Sequence, residues 1–216
     1  MQLTLPAALT DDNHDDAVVK LREYFGLEPY TKPYTGASFE RLGGGGDRGE
    51  VRDVITTEDL VAVTMLSVDV PASAALQILG PDGREISDLL RRIPTALDLA
   101  GVDPELINKD WPGWRLWTLL ESMQGIGWVI AGKLVARKRP RLLPVYDSIV
   151  REQVGAPADY WHSLNHDLRE RDDALHRRLL DIRVQSAIGC DISALRVLDI
   201  VTWMTGRDHA ASHNGT

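Results

Sequence analysis

The residues of this chain best suited to chemistry lie between Gly125 and Arg141. Two glycines bracket one isoleucine at Gly125-Ile126-Gly127, and five cations follow within nine residues: Lys133, Arg137, Lys138, Arg139 and Arg141. Glycines in a turn permit positive φ and let an anion reach the backbone without meeting a Cβ. Free amides at the start of a following helix would then face that anion, with the positive end of the helix dipole behind them. The pattern predicts a binding site for a phosphodiester, to which the cations add long-range attraction.

An ordinary corner between two helices is the alternative interpretation of the same residues. The glycines would then only close the turn, and the basic residues would solvate the end of the second helix and favour its C-terminus. A Gly-x-Gly pattern alone does not separate the two interpretations.

Two helical patterns position these glycines. Apolar residues recur every three or four positions from Trp114 to Met123, and again from Trp128 to Lys138. The sequence therefore predicts a helix-hairpin-helix unit over residues 114–139. Trp111, Trp114, Trp117 and Trp128 surround it, and their spacing favours packing over stacking on bases.

The remaining periodicity predicts a mainly α, single-domain protein of about nine helices over residues 1–216. Thr56 or Thr57 suits a helix N-cap, and Gly26 a helix end. The other predicted helices cover residues 11–25, 71–79, 86–93, 147–154, 159–182 and 192–204. Residues 38–42 and 51–55 are expected to pair as a small β-hairpin across Gly43–Gly46, and residues 206–216 to form a frayed tail.

Charge is segregated along the chain. The net charge of −8 argues against a protein that coats nucleic acid over its whole surface. From Ser122 to Tyr146 there is no acidic residue, whereas the rest of the chain holds 19 basic residues against 32 acidic ones. A local basic site therefore remains compatible with the composition. No membrane span or signal peptide is evident, so a cytoplasmic location is expected.

The segment Leu120–Gly127, followed by Ala131 and by Pro144-Val145-Tyr146-Asp147, resembles the helix-hairpin-helix DNA glycosylase superfamily. In that family a Gly-x-Gly hairpin precedes an alanine on the second helix, and an aspartate follows about twenty residues after the second glycine. Gly127 and Asp147 have that separation. The resemblance covers the hairpin and the following loop, roughly residues 114–150. The whole chain also resembles an uncharacterised actinobacterial family.

The resemblance implies that Asp147 is a catalytic carboxylate. It would stabilise positive charge on the sugar as an N-glycosidic bond breaks, or orient the attacking water, after the nucleotide is flipped out of duplex DNA. The implied activity is that of a monofunctional DNA glycosylase without a cofactor. Bifunctional members carry a lysine two residues after the second glycine, and Val129 stands there, so no lyase activity is expected.

Asp147 also has a structural interpretation. An aspartate before Ser148 is a good N-cap, which contributes about 1 kcal/mol of helix stability. The alternative function keeps the fold without the chemistry: a non-catalytic DNA-binding module, or a protein-interaction module with an acidic surface.

Three further features are weaker signals. His162 and His166 lie four residues apart on a predicted helix, but no third ligand is evident, so solvated histidines are favoured and no metal is expected. The Gly43–Gly46 run lacks the Gly-Lys-Ser/Thr end of a phosphate loop and is interpreted as a flexible turn. Cys190, the single cysteine, excludes an intramolecular disulfide and is expected to be a small buried hydrophobe.

Overall fold

The computed structural model describes residues 2–10 and 14–213, with side chains as far as residue 210. Within that part of the chain all regular structure is helical, which confirms the mainly α prediction. None of the described helices is both long and apolar enough to cross a bilayer. The α-helices follow in this order: α1 Ala7–Thr10, α2 Asp15–Phe25, α3 Thr57–Thr64, α4 Ala72–Leu79, α5 Gly83–Leu90, α6 Pro112–Glu121, α7 Trp128–Lys138, α8 Ser148–Gln153, α9 Tyr160–Ser186 and α10 Ala194–His213.

The chain groups into two compact units, each assembled from separate stretches of sequence. Unit 1 holds α1, α2, α8, α9 and α10; it comprises Met1–Tyr34, Leu99–Pro104 and Tyr146–Thr216. Unit 2 holds α3 to α7; it comprises Thr35–Asp98 and Glu105–Val145. Unit 2 has 13 basic and 14 acidic residues, whereas unit 1 has 11 and 18. The acidic excess of the chain is therefore concentrated in unit 1.

Unit 1 is built around α10, which packs against α2, α8 and α9. The apolar stripe of α10 is fully buried, as at Leu198 and Val201. One buried amide fastens the stretch 99–102 to α9, because Asn165 Nδ2 donates to the carbonyls of Leu99 at 2.7 Å and Val102 at 3.0 Å. Buried backbone carbonyls need such donors, so this side chain stabilises the connection.

The long helix predicted over residues 159–182 exists as α9, but it is interrupted. Glu170 is extended, with ψ 149°, and the three residues Arg171, Asp172 and Asp173 are left-handed, with φ of 51°, 59° and 59°. Non-glycine residues in this region meet a steric penalty between Cβ and the backbone. The exposed charge run around these residues therefore forms a strained turn between two helical segments.

The prediction of a frayed tail from residue 206 is wrong for residues 206–213, since α10 continues to His213. The last turns are held by side chains of unit 1. Lys20 Nζ lies 2.5 Å from an Asp208 carboxylate oxygen, and the Arg207 guanidinium lies 5.0 Å from the rings of both Tyr34 and Trp203. Residues 214–216 lie outside the described part of the chain.

Unit 2 is centred on α6 and α7. Helix α6 packs against α5 and α7, α3 packs against α7, and α4 packs against α5. Helix α3 begins with a capping box: Thr56 N donates to Asp59 Oδ2 at 3.0 Å, and Asp59 N donates to Thr56 Oγ1 at 3.4 Å. The prediction of an N-cap at Thr56 is therefore confirmed.

The predicted β-hairpin over residues 38–55 is wrong. This segment consists of the 3-10 turns Thr35–Ser38 and Leu42–Gly44 followed by bends, and none of its described residues is a strand. The carbonyl groups of Phe39 and Val51 accept hydrogen bonds from side chains of α7. They are therefore not available to a strand ladder.

The left-handed turn in α9 makes a stability prediction. Replacing Asp173 by glycine is expected to raise the free energy of unfolding by about 0.5–1 kcal/mol, because glycine adopts positive φ without a Cβ penalty. Urea denaturation measures the change. The matched control is Ala174→Gly, one residue further on in helical conformation, which is expected to lower the same free energy by about 1 kcal/mol. Destabilisation by Asp173→Gly would contradict the turn.

Candidate nucleic-acid interface

The turn between α6 and α7 exposes both predicted glycines. Gly125 has φ of 82°, and a Cβ there would lie 2.7 Å from Pro71 Cγ, so this position requires glycine. Gly127 is extended, with φ −89° and ψ 173°, and forms the N-cap of α7 without a side-chain hydrogen bond. A Cβ on Gly127 would meet nothing within 4 Å. The first turn of α7 therefore begins with an open, uncapped end.

Four of the five predicted phosphate-attracting cations are buried, so the expectation of an exposed cation patch is wrong for them. Their relative exposures lie between 0% and 3%: Lys133, Arg137, Lys138 and Arg139. The reason is the position of α7, which packs against both α3 and α6. Charged side chains are buried only when acceptors surround them, and unit 2 supplies those acceptors.

One carboxylate lies at the centre of this arrangement. Asp59 Oδ1 accepts from Arg137 Nε at 3.0 Å, and Asp59 Oδ2 accepts from Lys138 Nζ at 2.9 Å. All three side chains are at most 2% exposed. Asp59 also completes the capping box at Thr56, so a single side chain joins the start of α3 to the end of α7. We call Asp59, Arg137, Lys138 and Arg139 the buried charge cluster.

Backbone carbonyls supply most of the remaining acceptors. Arg137 donates to the carbonyls of Phe39 and Leu42, and Lys138 donates to the carbonyl of Val51 at 2.9 Å. The glycine run is shaped by the same contacts, because a Cβ on Gly46 would lie 2.4 Å from the Arg137 carbonyl oxygen. Gly46 therefore has no room for a side chain against Arg137, and Gly43, Gly44 and Gly45 have positive φ of 60°, 83° and 99°, which glycine adopts most readily.

Arg139 fastens a second group of segments. Its guanidinium donates to the carbonyls of Leu90 at 2.5 Å, Arg52 at 2.6 Å and Ile93 at 2.7 Å. It also lies 2.6 Å from an Asp53 carboxylate oxygen. Leu90 is the last residue of α5, where the helix dipole is negative and favours a cation. A short run at the end of α7 therefore holds α3, α5 and the loop before α3 together.

Burial lowers the pKa of two cations in this cluster. Desolvation lowers the pKa of Lys138, and the charge of Asp59 opposes that shift. Desolvation likewise lowers the pKa of Arg139, against the hydrogen bond and charge of Asp53. Each cation thus bears a desolvation cost that its own partners offset in part.

Arg141 is the one predicted cation that remains substantially exposed, at 45% of its side chain. It already forms a forked pair with Asp98: Nε donates to Oδ1 at 2.9 Å, and the second nitrogen donates to Oδ2. The hydrogen bond to Asp98 is the first cause of a raised pKa at Arg141. Arg141 would have to exchange this partner to contact a phosphate.

Asp147 caps α8, as the structural interpretation predicted. Its Oδ1 accepts from the amides of Ile149 at 3.1 Å and Val150 at 3.0 Å. Beside it, the rings of Tyr146 and Tyr160 stack with centroids 3.9 Å apart. Burial raises the pKa of Tyr160 well above its ordinary value, and the charges of Asp199 and Asp147 add to that shift. A catalytic role for Asp147 stays a prediction.

Sequence reasoning missed a buried ion pair in unit 1. Arg196 donates to Asp199 Oδ2 at 3.0 Å and to the Tyr24 hydroxyl at 2.8 Å. Both charged side chains are at most 6% exposed. The signal was an Arg-x-x-Asp spacing inside an otherwise apolar helix, which places the two groups on one face.

The histidines, the cysteine and the tryptophans that were weaker candidates in the sequence do not form a metal site among the described residues. His162 is exposed, and His166 Nδ1 lies 3.2 Å from an Asp167 carboxylate oxygen. No group of three or more histidine, cysteine or acidic residues suited to a metal occurs among the described residues. Cys190 is exposed, so the prediction that it is buried is wrong. The hairpin tryptophans pack together, with Trp117 Nε1 donating to the Trp128 carbonyl at 3.3 Å.

The fold and the site define a mainly helical protein with a buried charge cluster at the end of α7 and an exposed glycine turn at its start. Residues 17–206 match a family model described as "Family of unknown function (DUF6308)". The chain belongs to this family. No curated protein and no solved structure matches it. The resemblance to DNA glycosylases over residues 114–150 stays a prediction.

The buried charge cluster makes a mutational prediction at its carboxylate. Asp59→Asn is expected to lower the free energy of unfolding by about 3–5 kcal/mol, because two buried cations lose their shared counter-charge. Urea or thermal denaturation measures the loss. Glu50→Gln, an exposed acid in the loop before α3, is the control and is expected to leave the midpoint unchanged. Equal stability of Asp59→Asn and wild type would contradict a supporting role for the cluster.

The lowered pKa of Lys138 predicts how the free energy of unfolding depends on pH. Its folded pKa is lowered from 10.5, so between the two values the unfolded chain binds more protons and stability gains as pH rises. Lys138→Met removes this contribution while Arg137 still neutralises Asp59, so it is expected to cost less than Asp59→Asn. The unfolding free energy of wild type minus that of Lys138→Met should therefore increase as pH rises from the lowered pKa towards the ordinary lysine pKa. A flat or falling difference would contradict the lowered pKa.

Proposed function

We propose that unit 2 binds the phosphate backbone of nucleic acid, with duplex DNA as the expected partner, through the turn between α6 and α7. The observation that carries this proposal is the open start of α7. Gly127 caps the helix without a side chain, is exposed, and has free space where a Cβ would project. Uncapped amides at such a helix start are donors suited to a phosphate oxygen.

The charge distribution around the turn favours an anion. No carboxylate occurs between Ser122 and Tyr146, and α7 extends for 11 residues behind the turn. Inside unit 2, the carboxylates of Asp59 and Asp53 pair with Arg137, Lys138 and Arg139, and Lys133 Nζ donates to the Leu66 carbonyl at 2.8 Å. The buried cations do not contact the ligand in this proposal. They contribute a positive field in a medium that screens charge less than water does.

Binding of this kind is independent of base sequence, because the donors are backbone amides that meet only the phosphate. Such binding requires no catalysed reaction. Asp147 belongs to unit 1, and its Oδ1 accepts two amide hydrogen bonds of α8. We therefore propose the non-catalytic form of the function, and hydrolysis of an N-glycosidic bond remains an inference from the sequence resemblance alone.

The test uses two substitutions at Gly127. Aspartate and asparagine both cap helices well and fit the extended backbone at this position, so both variants are expected to fold at least as stably as wild type. Only aspartate places a negative charge at the phosphate position. Gly127→Asp is expected to weaken binding of a labelled DNA duplex about tenfold or more, and Gly127→Asn much less. Fluorescence anisotropy at low and moderate salt measures both affinities.

Two results would overturn the proposal. One is an absence of duplex binding by wild type at low salt, where phosphate contacts are strongest. The other is equal affinity of Gly127→Asp and Gly127→Asn, which would place the DNA elsewhere. Thermal denaturation of each variant checks that a loss of binding does not come from unfolding.

A further inference from the structure

We propose that a cleft between α5 and α6 binds a phosphomonoester dianion. The cleft has a volume of about 370 Å³, within the range of small-molecule sites. Three arginines line it: Arg84 from α5, Arg92 from the turn that follows α5, and Arg115 from α6. This site involves neither Gly127 nor the start of α7, so it goes beyond the function proposed above.

The three arginines lack internal counter-charges. Arg84, Arg92 and Arg115 are exposed, and none of their guanidinium groups forms an ion pair or hydrogen bond with a residue that the structure describes. Three arginines without an acidic partner are unexpected in a chain with a net charge of −8, because acidic residues outnumber basic ones. Like charges gathered around one cleft repel each other, and an anion bound between them removes that repulsion.

The balance of charge indicates which anion fits. Two acids also line the cleft, Glu85 and Asp88, but Asp88 Oδ1 lies 2.5 Å from the Arg91 guanidinium and is neutralised there. Three arginines against Glu85 leave an excess of two positive charges. A phosphomonoester carries about −1.5 to −2 at neutral pH, whereas a phosphodiester carries a single charge. The monoester therefore matches the cleft better.

The helices arrange the donors suitably for this ligand. Arg84 and Asp88 are four residues apart on one face of α5, and Arg92 follows in the turn after the helix. Arg115 stands on α6, which packs against α5, and Leu89 and Pro81 add apolar surface. Guanidinium groups present forked donors that match phosphate oxygens, and the apolar surface suits the organic part of a small ester.

A phosphate group in the cleft belongs either to a free small phosphomonoester or to the diester backbone of nucleic acid. Isothermal titration of the full chain with adenosine 5′-monophosphate and with adenosine 3′,5′-cyclic monophosphate distinguishes them, because the two ligands share a base and differ in phosphate charge. Inorganic phosphate is the third probe. We expect the 5′-monophosphate and inorganic phosphate to bind, and the cyclic diester to bind about tenfold more weakly or not at all.

Variants assign the binding to the cleft. Arg92→Gln and Arg115→Gln are each expected to weaken 5′-monophosphate binding about tenfold, whereas Glu85→Gln should strengthen it severalfold by removing the unmatched acid. Lys109→Gln, an exposed cation of unit 2 outside the cleft lining, makes the same charge change and is expected to have little effect. All four positions are exposed, so the variants should fold.

Three outcomes would overturn the proposal. Neither 5′-monophosphate nor inorganic phosphate binds to wild type; the cyclic diester binds as tightly as the monoester; or Lys109→Gln weakens binding as much as Arg92→Gln. A loss in the arginine variants together with a gain in Glu85→Gln would support it, because a general loss of folding cannot strengthen binding.

Discussion

The carboxylate of Asp59, shared between Arg137 and Lys138 inside unit 2, is the contact on which the rest of that unit depends. A buried cation is unfavourable unless acceptors replace its hydration shell, and two adjacent buried cations also repel each other. Asp59 reduces both costs at once while its position in the capping box fixes the start of α3. Asp59 therefore stabilises the start of α3 and the end of α7 together.

The carbonyl groups around this pair determine the shape of the surrounding loop. Phe39, Leu42 and Val51 direct their carbonyl oxygens towards α7, so the segment before α3 follows the cations and not a neighbouring strand. Gly46 has no space for a side chain because the Arg137 backbone lies against it. In this run of four glycines, which resembles a flexible linker in the sequence, Gly45 and Gly46 are buried in the packed structure, whereas Gly43 and Gly44 are exposed.

Local rules predicted local features well. The bounds of α7 at Trp128 and Lys138, the cap at Thr56 and the helix end at Gly26 all follow from neighbouring residues, and all are observed. The burial of Arg137 and Lys138 could not be predicted from neighbouring residues, because their partner Asp59 lies 78 and 79 residues away along the chain. The sequence did not predict the break in α9, for a different reason. Leu168 and Leu179 are both fully buried and are eleven residues apart, close to three helical turns, so their spacing looks continuous.

A basic run in a sequence therefore indicates either a binding surface or a part of the protein interior, and the contacts of its side chains determine which. The cations of α7 hold the interior together, and their charges are largely committed to Asp59, Asp53 and backbone carbonyls. Arg84, Arg92 and Arg115 do not form a run in the sequence, yet they line one cleft, and their guanidinium groups have no ion-pair partner among the described residues. Because an anion binds where positive charge is accessible and not already neutralised, the anion sites that we propose for unit 2 are the open start of α7 and that cleft. The densest basic segment of the chain is instead a structural element.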